Sequence, residues 1–262
     1  MEAKALDINS AKWRYYVSGT GKDGFLFLAG MLSGGPSIAE FLSAAFPEKR
    51  VVVPAHAAVH TISEYIHAIR LLLDRESISK TAVYGASFGS LIAQCFSRSN
   101  IQQISHLILS GAAVPETSRI RTSQIWLRLI PFLPLSIIKM SLFATLRSLL
   151  RSSKGNQTLW RHEYRQLIQN ITKEDLISRY KIATDYDKNY FFQSIDFQNS
   201  PIPILVLEGE ADRVAGNKIR EKLRTVYPEA AVHIFRGAGH SILLTHPEEW
   251  KSVVRNFLSL AD

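Results

Sequence analysis

The chain has 262 residues, 46% of them hydrophobic and 21% charged, which is globular composition with enough apolar material for one sheet-centred domain. Its 31 Lys and Arg outnumber 23 Asp and Glu, giving a formal net charge of +8, and a lone cysteine, Cys95, excludes an intramolecular disulfide. No uninterrupted apolar run approaches the roughly 20 residues that a membrane span needs, and residues 1–7 hold no apolar signal core, so cytoplasmic residence is the expectation.

In chain order, short apolar runs at 13–17 and 25–28 read as strands, followed by the glycine-rich loop Ala29-Gly30-Met31-Leu32-Ser33-Gly34-Gly35. A helix is expected over 37–46, a strand over 51–53 and a second helix over 61–74, opened by Thr61 with Glu64 three residues on, the pattern of a capping box. Strand 81–84 leads through Gly85-Ala86-Ser87-Phe88-Gly89 into a helix over 88–99, and 106–110 reads as the next strand. Strands at 204–207 and 231–235 and helices at 217–226 and 247–260 complete the alternation. Such alternation of strands and helical patterns predicts an α/β protein with a mainly parallel sheet and helices on both faces.

Three positions carry candidate chemistry. A serine in a G-x-S-x-G turn between strand and helix is pushed out over the sheet, where its hydroxyl meets a base and a carbonyl, so Ser87 is the candidate nucleophile. Asp212 lies in the loop after strand 204–207, and His240 in Gly237-Ala238-Gly239-His240 after strand 231–235. Parallel strands end at one edge, so these loops can converge. Read alone, Asp212 is also an Asx-turn residue or a partner for Arg213, and Asp196 is its rival as the acid. The remaining histidines, His56, His60, His67, His106, His162, His233 and His246, show no metal-site spacing with Cys, Asp or Glu, so neither metal nor cofactor is expected and they read as structural.

From about Trp13 to Leu260 the chain resembles the α/β-hydrolase superfamily, on the strength of the Ser87 elbow, the Asp212 loop and the Gly-x-Gly-His240 loop in the order Ser, Asp, His. Residues 82–115 are similar to the maspardin-like branch, although that branch is degenerate at the histidine position and His240 is kept here. The resemblance implies an α/β-hydrolase core at 1–112 and 195–262 and a helical cap at 113–194, inserted after the sixth strand. Within the cap, helices are expected over 125–150, broken by Pro131 and Pro134, and over 159–171 and 173–185. It also implies an oxyanion hole from the backbone N–H groups of Met31 and Phe88, although the His-Gly common after the first long strand of the superfamily is Ala29-Gly30 in this chain.

Trp126, Leu129, Phe132, Leu133, Leu135, Met140 and Phe143 would roof the pocket, which favours a small hydrophobic acyl or ester substrate. The expected function is serine hydrolysis of an ester, thioester or lactone through an acyl-enzyme. The alternatives are a lyase or cyclase using the same triad, and a catalytically idle, maspardin-like binding protein. Positive charge gathers in the cap at Arg119, Arg121, Arg128, Lys139, Arg147, Arg151, Lys154, Arg161 and Arg165. A solvated face is the first reading of that charge and peripheral membrane contact the second. Nucleic-acid binding is not expected, because no recognition module accompanies the charge; the sequence leaves the oligomeric state open.

Overall fold

A computed structural model describes residues 1–9, 11–149, 157–196 and 202–259. Leu150, Arg151, Lys154 and Leu260 of the expected elements lie outside the described residues. The chain order is β1 (Glu2–Ile8), β2 (Ala11–Ser18), β3 (Gly24–Leu28), α1 (Pro36–Ala45), β4 (Arg50–Pro54), α2 (Ile62–Arg75), β5 (Thr81–Ala86), α3 (Phe88–Ser99) and β6 (Ile104–Ser110). Four helices follow: α4 (Ser118–Leu129), α5 (Leu135–Leu149), α6 (Gln157–Asn170) and α7 (Lys173–Asn189). The chain then returns to the sheet through β7 (Ile204–Gly209), α8 (Asn217–Val226), β8 (Ala231–Phe235), α9 (Ile242–Thr245) and α10 (Pro247–Leu258).

These strands form one eight-stranded sheet in the order β1-β2-β4-β3-β5-β6-β7-β8. β1 and β2 are antiparallel to their neighbours and the rest run parallel. The central strands are buried along their length, as in β3 with all five residues inside, because helices cover both faces and no position can be spared for water. β2 faces water on one side and alternates, with Trp13, Tyr15 and Val17 pointing inward. β1 is an additional strand that the periodicity does not announce. It is an edge strand with few apolar residues, tied down by Lys4, which joins Tyr15 and Arg50 on the buried carboxylate of Glu76. Burial alone would raise the Glu76 carboxyl, but those three donors hold it below the ordinary glutamate range.

Strand order reverses at β3 and β5, which are neighbours with β4 lying beyond β3. That switch point opens a crevice at the carboxyl ends of the strands. Among the described residues no strand occurs between β6 and β7. α7 is stitched to the core: Asp185 accepts from Ile62 N–H at the start of α2 at 2.8 Å, Ser178 donates to Val59 O, and Tyr186 donates to Ala113 O. Arg119 at the start of α4 forms a two-pronged pair with the buried Asp187 of α7. The apolar residues of the insertion divide. Leu142, Phe143 and Leu146 pack into the core layer beside α1, whereas Leu129, Phe132 and Met140 are exposed, Phe132 by 87%. The expected roof is therefore only partly a roof. Among the described residues no helix is long and apolar enough to cross a membrane, and none of the His, Cys, Asp and Glu side chains cluster to hold a metal ion.

Candidate active site

The turn after β5 is fixed before any substrate arrives. Ser87 has φ +47° and ψ −114°, a conformation that L-residues avoid at a cost of about 1–3 kcal/mol. Its surroundings hold it there. Ser87 N–H donates to Ser110 O at 2.8 Å at the end of β6, and Ser87 O accepts from the Ser90 N–H at 2.9 Å and the Ser90 hydroxyl. α3 starts so close to β3 that a Cβ on Gly89 would lie 2.0 Å from Leu28 O, so no other residue fits at that position.

The structure brings Ser87, His240 and Asp212 into one line. Ser87 Oγ lies 2.8 Å from His240 Nε2, and His240 Nδ1 lies 2.8 Å from Asp212 Oδ2. A carboxylate only accepts, so Nδ1 carries the proton and Nε2 is left to accept from the serine hydroxyl. The other oxygen, Asp212 Oδ1, accepts from the N–H groups of Val214 and Ala215 at 2.8 and 2.9 Å. Burial would raise the Asp212 carboxyl, but the hydrogen bond and charge of His240 and these two amides outweigh it and keep it below the usual aspartate value. Gly111, at φ +57°, makes room for the imidazole: a Cβ there would meet His240 Cε1 at 2.7 Å. Asp196 lies elsewhere, in an ion pair with Arg98 at 3.0 Å.

A Cβ built on Gly30 would lie 3.7 Å from Ser87 Cβ, so the residue before Met31 packs against the serine. Phe88 is the first residue of α3, where N–H groups have no helical partner and the helix dipole is positive. Two residues outside the expected set hold this loop. His56 Nε2 donates to Gly30 O at 3.0 Å while its Nδ1 accepts from the Tyr65 hydroxyl at 2.9 Å. Burial, reinforced by the positive charge of Arg179, pushes the His56 imidazole down to about 3, so it remains neutral. Arg179 of α7 donates to Met31 O.

His56 was readable in principle, because it follows β4 at the same sheet edge as Asp212 and His240. For Arg179 no local pattern exists; its role depends on α7 folding back over the loop. Arg50, Arg98, Arg119, Arg224 and Arg255 each reach a carboxylate, but among the described residues none lies within ion-pair distance of Arg179, and burial lowers its pKa. It borders a cavity of about 680 Å³ whose lining includes Leu32, Ser33, Gly34, His56 and Asp175 and excludes Ser87 and His240. Cys95 is buried, which raises its thiol pKa, and takes no part in the site.

Residues 47–247 match the family described as serine aminopeptidase, S33. The chain is 27% identical over 204 residues to a 2-hydroxymuconate semialdehyde hydrolase of Pseudomonas putida, covering 75% of this chain and 68% of that protein. In three dimensions it is similar to an α/β hydrolase enzyme from a Medee basin deep-sea metagenome library, with a TM-score of 0.78 at 14% identity over 98% of this chain and 97% of the other. It is also similar to an esterase of Exiguobacterium antarcticum, with a TM-score of 0.76 at 13% identity over 98% and 100%.

Proposed function

The chain belongs to the serine aminopeptidase, S33, family and has the α/β-hydrolase fold, and from that premise we propose that it hydrolyses a small hydrophobic ester, thioester or lactone through an acyl-enzyme on Ser87. The observation that carries this reading is the pair of 2.8 Å hydrogen bonds from Ser87 to His240 and from His240 to Asp212. A free serine hydroxyl is a weak nucleophile, so His240 Nε2 takes its proton as Oγ attacks the carbonyl carbon. Asp212 keeps the imidazole in the required tautomer and stabilises the imidazolium. The N–H groups of Met31 and Phe88 receive the developing oxyanion, a contribution of about 3 kcal/mol per donor. His240 then protonates the leaving group, and water, deprotonated by the same imidazole, releases the acid. Residues 113–194 act as the cap that selects the substrate.

Arg179 favours a second reading of the substrate, in which the acyl part carries a carboxylate. A guanidinium out of water is costly when only the more distant charge of Asp175 offsets it, and a substrate anion beside the Met31 loop would neutralise it further. The relative from Pseudomonas putida, named for a muconate semialdehyde, is consistent with an acid-bearing substrate.

Fluorophosphonate labelling read by intact mass tests the first reading: labelling of the wild type and none of Ser87→Ala is expected. A folded wild type that stays unlabelled would remove the hydrolase proposal in favour of a binding protein. For the second reading, Arg179→Gln should raise KM for a carboxylate-bearing ester at least tenfold more than for its uncharged analogue, and equal effects on both would end it.

A further inference from the structure

The turn joining α4 to α5 carries apolar side chains where a cap helix pair would ordinarily bury them. Ile125, Trp126 and Leu129 of α4, Phe132 of the turn, and Ile137 and Met140 of α5 are between 39% and 87% exposed. Ile125 and Leu129 are four residues apart and Ile137 and Met140 three, so each pair shares a helix face. Six exposed large apolar side chains gathered within residues 125–140 are more than scattered single exposures and mark a contact with something else.

The charge around this face decides what that is. Between Glu116 and Glu163 the sequence holds no Asp or Glu. Within that stretch Arg121, Arg128 and Arg147 are exposed, and among the described residues none of them has an ion-pair partner, whereas Arg119 is neutralised by Asp187. Lys139 and Lys173 are turned onto backbone carbonyls, Lys173 on Pro131 O at the root of the turn. An apolar tip with a basic collar, whose own segment holds no carboxylate although Glu174 and Asp175 follow Lys173 at its root, is complementary to phospholipid, whose phosphates meet the guanidinium groups while the apolar tip enters the acyl boundary by about 5–10 Å. A second copy of the chain fits worse, since a two-fold contact would press the same arginines together. Phe132 N–H and Leu133 N–H both donate to Leu129 O, and Pro131 and Pro134 fix their own φ, so the turn's backbone is largely ordered before docking.

We propose that the α4–α5 turn of this protein docks on anionic phospholipid, with Phe132 and Met140 inserted and Arg121, Arg128 and Arg147 on the headgroups. This surface is made of side chains other than Ser87, Asp212 and His240, and its test reads vesicle binding rather than turnover. It would bring the insertion to substrates dissolved in the lipid.

Co-flotation of the full chain with vesicles tests it, using phosphatidylcholine alone and phosphatidylcholine with about one-third phosphatidylserine. Binding to the mixed vesicles alone is expected, weakening at high salt. Arg121→Gln with Arg128→Gln and Arg147→Gln should weaken it by about fivefold per charge, on the order of a hundredfold together. Phe132→Ser with Met140→Ser should weaken it at least tenfold at unchanged salt dependence. These side chains are exposed, and an unchanged circular-dichroism melt confirms that the variants fold. Absence of flotation, or flotation that both variants retain, overturns the proposal. Dimerisation in sedimentation velocity that the Phe132→Ser, Met140→Ser variant abolishes, without vesicle binding, assigns the face to a second copy and overturns it equally.

Discussion

His56 Nε2 holds the carbonyl oxygen of Gly30 at 3.0 Å, and by doing so orients an amide that belongs to the next residue. In a trans peptide the C=O and the following N–H point in opposite directions, so a donor fixed on Gly30 O fixes the aim of Met31 N–H. The Ser33 N–H and hydroxyl donate to the same oxygen at 3.0 and 3.2 Å. His56 is thus a positioning residue for the proposed oxyanion hole. His56→Ala is expected to lower kcat at least tenfold with KM little changed, since part of one oxyanion donor is lost. His56→Gln, which keeps an N–H within reach of Gly30 O, should recover part of that loss. A purely structural His56 would instead lower the melting temperature in both variants and leave kcat per folded molecule intact.

Titration of the same imidazole couples folding to pH. Its pKa is about 3 in the folded chain against 6.5 when free. The unfolded state therefore binds a proton below about pH 6.5 that the folded state refuses, so the stability His56 confers is present above that pH and is lost as pH falls from 6.5 toward 3. Each unit in that window costs up to about 1.4 kcal/mol. Urea unfolding at pH 7 and pH 5 should show wild type losing about 2 kcal/mol more than His56→Gln. Parallel losses in the two proteins would place the proton elsewhere.

The two aspartates that the sequence left in competition are now separated by their partners. Asp212 accepts from His240 Nδ1 and two backbone amides, whereas Asp196 pairs with Arg98 and accepts from Gln193 N–H. Asp212→Asn is expected to cut kcat by about four orders of magnitude while the fold survives, because an amide favours the wrong imidazole tautomer. Asp196→Asn should leave kcat within about twofold, as an exposed pair is worth at most about 1 kcal/mol. The reverse ranking in steady-state kinetics would return the acid role to Asp196.

Sequence pattern reached the strands that are buried on both faces and the loops that follow them, because continuous apolar runs and glycine-bounded turns are local signals. It missed β1, whose place depends on Glu76, 72 positions from Lys4. It began the first inserted helix at 125, seven residues after α4 starts at Ser118, because Thr117 makes no side-chain cap bond to announce it and Arg119 is secured by Asp187 across the fold. α7 runs to Asn189, past the expected 185, since Tyr186 and Asp187 are buried and bonded there. Ser87, Asp212 and His240 were legible through their loops. The bond of His56 to Gly30 O was within reach of the sequence, since His56 follows β4 at the same edge, but was read as structural; the bond of Arg179 to Met31 O exists only once α7 folds back over that loop.

Strain at the elbow yields a prediction about stability. Ser87 sits at φ +47°, ψ −114°, which glycine adopts with little penalty. Ser87→Gly should therefore abolish fluorophosphonate labelling yet raise the melting temperature by a few degrees, the return of about 1–2 kcal/mol of strain less the added freedom of the unfolded chain. Ser87→Ala removes the same hydroxyl but keeps the Cβ, so it serves as the control and should not show this gain. Equal melting temperatures for the two variants would mean the elbow is unstrained.

Gly111 gives the sharpest test of how tightly the imidazole is seated. It follows β6, with φ +57° and its N–H bonded to Leu207 O, and a Cβ at this position would lie 2.7 Å from His240 Cε1 and 3.0 Å from Nδ1. The ring is held at both ends by 2.8 Å bonds, so it cannot retreat without lengthening one of them. The added methyl should therefore act on the reaction more than on the fold. Gly111→Ala is expected to cost about 1–3 kcal/mol of stability from strain at positive φ, a loss that a domain of this size survives. Its kcat should fall at least a hundredfold, since a displacement of about 1 Å in a catalytic group is worth that much. Unaltered kcat at the wild-type pH profile would show that His240 has slack at this face, and that the Ser87–His240 distance is not set by Gly111.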